Sequence, residues 1–365
     1  MRRLPHLQAL RAIAASLVVA DHALTALATR GLVGAPAQQA GYFLGWAGVA
    51  AFLAISGLIM IRTSAHRFGR PGAALDFAWR RIIRIVPLYW LATAVYFILK
   101  SKLGEHYSVA EILKSLLFWP YANPGDVVMR PIVGQGWTLN LEVFFYALFA
   151  ISLTMPRRLG LPVILASLPA LVLAGLAVRP LVPYADPLTP AAFLTDPIML
   201  FFTCGMLLGL VERTISDRIR FDWPLATAIG ALGLSAAAFV ILDLRFPLQI
   251  VWQLALGVFC VGAVAAATLT DRDASWWPQK ALVVAGDASF STYLFHPLAI
   301  TALNMLPVAG LPRAVHVGGF VVAALIGGNL LGFLVYRLVE RPMTEGLRKF
   351  TLRPASAAAD NPTQR

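Results

Sequence analysis

The chain has 365 residues, of which 59% are hydrophobic and only 13% charged, and its mean hydropathy is +0.73. Soluble domains carry about 25% charged residues, so this composition excludes an ordinary globular protein and indicates a polytopic membrane protein. The formal charge of +12 would point a soluble chain towards nucleic acid; here it is accounted for by basic cytoplasmic loops, and no nucleic-acid partner is expected.

The first apolar stretch, 7–28, reads LQALRAIAASLVVADHALTALA. It can cross a bilayer, which takes ~20 residues. It also carries Arg11, Asp21 and His22. Ionisable groups in the hydrocarbon cost roughly 2.5–3.5 kcal/mol each, so they face a cavity or a partner. Arg11 and His22 are eleven residues apart, about three helical turns, so they share one face ~16 Å apart along the axis. A secretory signal is the competing reading, with Arg2 and Arg3 as its basic region, but a signal's apolar core is uncharged. A polar pair that only helps helices pack is the other.

Ten spans are expected along the chain: 7–28, 41–61, 82–99, 137–155, 161–178, 194–211, 223–242, 250–269, 290–306 and 315–339. Of the 30 Lys and Arg, 21 fall on the side of the N-terminus, eight on the other side, and Arg11 lies within the bilayer. The positive-inside rule then places both termini in the cytoplasm. The longest outer connection, 101–136, contains an amphipathic pattern from Ser108 to Trp119 that reads as a helix on the membrane surface. Asn123 to Asp126 reads as a turn. Residues 1–349 are expected to form one integral membrane domain and 350–365 a disordered cytoplasmic tail. Cys204 and Cys260 lie in apolar runs and read as core residues; no metal site, phosphate loop or repeat is visible.

The fourth span opens with Gly136-Trp137-Thr138-Leu139-Asn140-Leu141-Glu142 and continues to Tyr146. Entering from the outer side, it puts Glu142 ~8 Å deep; His22 lies ~9 Å from the outer end of the first span. A carboxylate and an imidazole at one depth are what general-base chemistry uses. The alternative is a structural hydrogen bond, and the pair's closeness to an outer loop favours catalysis. Ser56-Gly57 lies in the inner half of the second span, where a glycine permits close helix packing or leaves room for a ligand chain. Arg81 and Arg84 share a helix face, and their forks suit phosphate oxygens, or serve as cytoplasmic anchors. His296, before the kinking Pro297, lines a cavity or simply packs.

These pieces together resemble the membrane-bound acyltransferase family 3, in its exopolysaccharide branch. Arg11 and His22 match its Arg/Lys-x10-His pattern. Trp137-Thr138-Leu139 with Glu142 resembles its Ser-Trp-Ser-Leu-x-x-Glu segment, with Gly136 and Thr138 replacing the serines. Arg81-Ile82-Ile83-Arg84 resembles its Arg-x-x-Arg. Ser291 to His296 and Val339-Glu340-Arg341-Pro342 resemble its closing segments. The resemblance implies an enzyme of the inner (plasma) membrane that takes an acyl group, usually acetyl, from cytoplasmic acyl-CoA and delivers it to a glycan hydroxyl outside. Acyl-CoA is a co-substrate, with no bound cofactor; the acceptor is a glycan or lipid-linked glycan. His22 is the expected base, oriented by Glu142, with an acyl-His22 intermediate as the alternative. Arg80, Arg81 and Arg84 would hold the CoA phosphates. Arg11, Ser56, Gly57, Trp137, Tyr146 and His296 complete the expected donor-binding set. Many spans with intramembrane charges also suit a proton-coupled carrier, although no inverted repeat is visible. A structural component of a polysaccharide machine is a third reading.

Overall fold

The computed structural model describes residues 4–122, 129–178, 189–216, 249–269, 277–306 and 312–351, and these are helical with short connections. The expected span 223–242, the turn at 123–126 and the tail beyond Thr351 lie outside the described residues. The bundle opens with α1 (Pro5–Thr29), α2 (Ala35–Ser64) and α3 (Ala73–Lys102). Prolines stand in the first turn of α1 and of α2, where no helical partner for the missing N–H is needed. A short helix α4 (Val109–Leu116) precedes α5 (Trp137–Leu153) and α6 (Arg157–Val178). The chain continues through α7 (Pro190–Leu194), α8 (Leu200–Ser216), α9 (Gln249–Thr268) and α10 (Trp277–Asp287). It closes with α11 (Ser289–Asn304), α12 (Arg313–Val335), a π-helical segment (Tyr336–Glu340) and α13 (Arg341–Thr351).

Seven helical stretches among the described residues are long and apolar enough to cross a membrane. They coincide with the expected first to sixth and tenth spans. Helix α9 stands where the eighth is expected, and α11 where the ninth is. At 16 residues, α11 is shorter than the ~17–25 of a usual crossing.

Helix α1 is the central element, packed against α2, α10, α11 and α12. Its seam with α2 is a stripe of small residues. A side chain at Gly41, Gly45 or Gly48 would run into Leu24, the Asp21 carboxylate or the Ala14 carbonyl respectively, so the glycines bring the two backbones close. Helix α11 runs parallel to α1: His22 meets His296, and Arg30 donates to Asn304 at 3.3 Å. Helix α12 runs back, from Arg313 on the Leu32 carbonyl to Asn329 on Ser16. Below, the lower end means the end where α1 begins, and the upper end where it finishes.

Helix α4 forms as expected. Ser108 caps it, and Glu111 closes a capping box on Ser108. Its apolar Val109 and Leu113 remain exposed, as do the following Leu117 and Trp119. Both cysteines are unpaired. The segment from Met129 to Gly136 departs from expectation. Met129, Ile132, Val133, Gln135 and Gly136 are buried, and the Gln135 amide donates to the Leu294 carbonyl of α11 at 2.6 Å. This connection folds into the bundle, so α5 begins well inside the molecule and not at its surface.

Candidate active site

A cavity lies between α1, α2, α3, α5 and α11. Each helix supplies a short polar stripe to an apolar wall. Helix α1 gives Arg11, α2 gives Ser56, α3 gives Arg81 and Arg84, α5 gives Thr138, Glu142 and Tyr146, and α11 gives Ser289 and Tyr293. The spacings are those of one helical face: three residues from Arg81 to Arg84, and four from Thr138 to Glu142, from Glu142 to Tyr146 and from Ser289 to Tyr293.

Glu142 is the centre of this site. Ser56 donates to its Oε1 at 3.0 Å, and the Tyr146 hydroxyl donates to the same oxygen. The Ser56 and Tyr146 oxygens are themselves 3.1 Å apart. The Arg81 guanidinium lies 5.6 Å from the Tyr146 ring centre and 5.5 Å from that of Phe77, a cation held over two aromatic faces. Arg11 is buried and donates to Gln8 at 3.1 Å. It feels Arg84 as a like charge and Glu340, Glu142 and Asp287 as opposite ones. Three guanidiniums thus face one carboxylate in the cavity. Arg81 Nε and Ser289 Oγ are buried with no hydrogen-bond partner among the described residues. Unpaired donors and surplus positive charge in a cavity suit an anionic, hydrogen-bonding ligand.

The upper pair is separate. His22 Nδ1 and His296 Nε2 are 2.7 Å apart, and the rings stack with centroids at 4.8 Å. Neither histidine lines the cavity. Tyr293 links the two regions: it lines the cavity, its hydroxyl is 2.7 Å from Thr138 Oγ1, and its ring centre is 6.5 Å from that of His296.

Of the residues expected from sequence, the cavity brings together Arg11, Ser56, Arg81, Arg84, Glu142 and Tyr146. The expected His22–Glu142 contact does not occur. Glu142 is taken up by Ser56 and Tyr146, and His22 by His296. Glu142 lies deeper than expected because α5 starts inside the bundle, which carries it down to the level of Ser56. Arg80 points away: its Nε donates to both Asp76 oxygens at 3.0 Å, on an exposed surface. Trp137 packs against Trp46 and Phe193, with ring centres at 6.1 and 6.4 Å. Gly57 faces α8, where a side chain would strike the Phe202 backbone. That reads as packing. Gly57→Ala is therefore expected to cost about 1–3 kcal/mol, the range for overpacking, seen as a lower thermal midpoint in detergent with donor binding retained in the protein that stays folded.

Ser289, Phe290 and Tyr293 line the cavity without having been expected there, although Ser289, Tyr293 and His296 recur at helical spacing within one apolar segment. Glu340 is a further unexpected member of this region. The π-helical turn carries Glu340 inward, its Oε2 accepts from Ser291 at 2.6 Å, and it acts on both Arg84 and Arg11. Single-turn π segments often mark functional sites.

A multi-pass helical membrane protein with a cavity of three arginines around a carboxylate, and a histidine pair beyond it, has the make-up of a membrane enzyme. The chain belongs to the acyltransferase 3 family: the family model, described as an acyltransferase domain, matches residues 4–340. It is a membrane acyltransferase. Among curated proteins it is 34% identical over 308 residues to the exopolysaccharide production protein ExoZ of Rhizobium meliloti (strain 1021), covering 83% of this chain and 90% of that protein. No solved structure matches. Since the family is one of enzymes, the carrier reading loses its ground.

Proposed function

We propose that the protein transfers an acyl group, acetyl first among the candidates, from cytoplasmic acyl-CoA to a hydroxyl of an extracytoplasmic exopolysaccharide or similar glycan. In this reading it sits in the inner membrane with ten spans, and the lower end of the bundle, with both termini, faces the cytoplasm. The cavity carries the proposal: three guanidiniums, one of them with an unpaired Nε, at the basic end of a membrane acyltransferase. Arg81 and Arg84 hold donor phosphates, Arg11 the negative charge further in, and the pantetheine arm runs along Ser56 and the apolar wall of α2.

His22 is the general base for the acceptor hydroxyl. As the hydroxyl oxygen attacks the thioester carbonyl, the C–O bond forms and the C–S bond breaks. The proton taken by His22 then returns to the leaving thiolate, giving free CoA. The acyl end reaches Tyr293 and Thr138 from the cavity, and the histidine pair stands one side chain beyond. An acyl-His22 intermediate is the competing mechanism; label retained on the protein after donor turnover would favour it.

Glu142 holds Ser56 and Tyr146 and balances the guanidiniums. Glu142→Gln keeps an acceptor oxygen for both hydroxyls but removes the charge. Its donor dissociation constant is expected to be no weaker than wild type, while transfer falls about tenfold, the difference between a charge-assisted and a neutral hydrogen bond. Calorimetric titration with acetyl-CoA alongside turnover would show this split; donor binding weakened several-fold would contradict it.

The function as a whole is tested with purified protein in detergent, radiolabelled acetyl-CoA, and a lipid-linked glycan extract from exopolysaccharide-producing cells. Label moving to glycan with release of CoA is the expected result. Donor that neither binds nor turns over with acceptor present would overturn the choice of acyl-CoA.

A further inference from the structure

The histidine pair holds information about which nitrogen acts. His296 Nδ1 lies 2.9 Å from the Thr292 carbonyl oxygen, one turn earlier in α11. A carbonyl only accepts, so Nδ1 carries the hydrogen. In a neutral imidazole the other nitrogen then presents a lone pair. His296 Nε2 is therefore an acceptor, and His22 Nδ1, 2.7 Å away, is its donor. Among the described residues, only His22 Nε2 of the four ring nitrogens is left uncommitted, with its lone pair free.

We propose that His296 is a positioning residue that fixes His22 in the Nδ1–H tautomer, so that Nε2 is the nitrogen that takes the acceptor's proton. This rests on the reading of His22 as the base. Three further observations support it. His296 is completely buried, while His22 keeps some exposure, so the pair has one anchored and one reachable member. Among the described residues no carboxylate acts on His296; His22 is the titratable group that faces it. A second proton there would be a buried charge with no counter-ion, which is costly. The ring is also confined by its neighbours. A Cβ at Gly328 of α12 would come within 3.1 Å of His296 Cβ and 3.3 Å of Val19, so the glycine leaves His296 room between α12 and α1. The role expected of Glu142 thus passes to an imidazole. When His22 is protonated at Nε2, its Nδ1–H still donates to His296, and one hydrogen bond serves both states of the base.

The test reads the tautomer directly. The six histidines are labelled with nitrogen-15 in full-length protein in detergent, and the His22 signals are identified by their loss in His22→Gln. The expected wild-type spectrum shows His22 with hydrogen on Nδ1 and a lone pair on Nε2, the opposite of the form favoured by free imidazole side chains in water. In His296→Leu the tautomer is expected to revert, with kcat for CoA release from acetyl-CoA down about 100-fold and the donor KM within about threefold. His296→Gln, which can offer an oxygen where Nε2 stood, is expected to restore the tautomer and most of the rate, and it remains informative if the leucine variant fails to fold. A His22 tautomer that is Nε2–H in wild type, or that ignores His296, overturns the proposal and leaves the base reading standing. A tautomer that reverts while kcat holds overturns the base reading, and the proposal falls with it.

Discussion

His22→Ala is expected to reduce acyl transfer at least 100-fold while leaving donor binding within about twofold of wild type. The separation follows from the geometry. A positioned general base is worth about 10²–10⁴ in rate, and His22 is outside the lining of the cavity that the donor would occupy. The substitution deletes one hydrogen bond and leaves the lone pair of His296 Nε2 without its donor, a cost of about 1–3 kcal/mol. The protein should still purify as a monodisperse species. Calorimetric titration with acetyl-CoA, beside label transfer to glycan, distinguishes the outcomes. Normal transfer in the variant would falsify the assignment of His22. Loss of donor binding together with transfer would instead place the imidazole in the donor site and remove the division between cavity and histidine pair.

The double substitution Arg81→Ala with Arg84→Ala is expected to weaken acyl-CoA binding by about 10²–10⁴. Each charge-assisted hydrogen bond contributes about 1.5–3 kcal/mol, and two together give about 3–6. Both side chains line the cavity, and Arg81 keeps a buried Nε with no protein partner. Arg80→Ala is the built-in control. Its guanidinium is tied to Asp76 on the exposed face of α3, so donor affinity should stay within about twofold. Dephospho-CoA thioesters compared with acetyl-CoA would show which phosphate the pair holds. An unchanged dissociation constant in the double variant would remove the phosphate role and leave these arginines as cytoplasmic anchors. Loss with Arg80→Ala alone would mean that the basic surface of α3, and not its cavity face, receives the donor.

Much of the architecture could be read without the fold because it depends on local chemistry. Apolar length and charge bias mark the spans, and helical periodicity places Arg11 and His22 on one stripe of α1. In the structure that stripe does face one neighbour: Arg11 reaches the cavity at the start of α11 and His22 meets His296 further along it. The same periodicity separates Arg81 and Arg84 from other faces of α3. The order of these local signals along the chain was enough to reach the family.

The partners of the acidic and basic groups were decided by tertiary structure. The depth of Glu142 depends on where α5 begins, and that depends on a connection that buries Ile132, Val133 and Gln135 and ties Gln135 to Leu294 of α11, about 160 residues away in sequence. Ser56 and Gly57 are adjacent, yet about 100° of helical rotation sends one to Glu142 and the other to the backbone of α8. Arg80 and Arg81 divide in the same way between Asp76 and the cavity. Periodicity says which residues share a face. Which neighbour that face meets, and at what height, is set by long-range packing, and so the sequence could name both His22 and Glu142 while only the folded bundle could show that each binds a different partner.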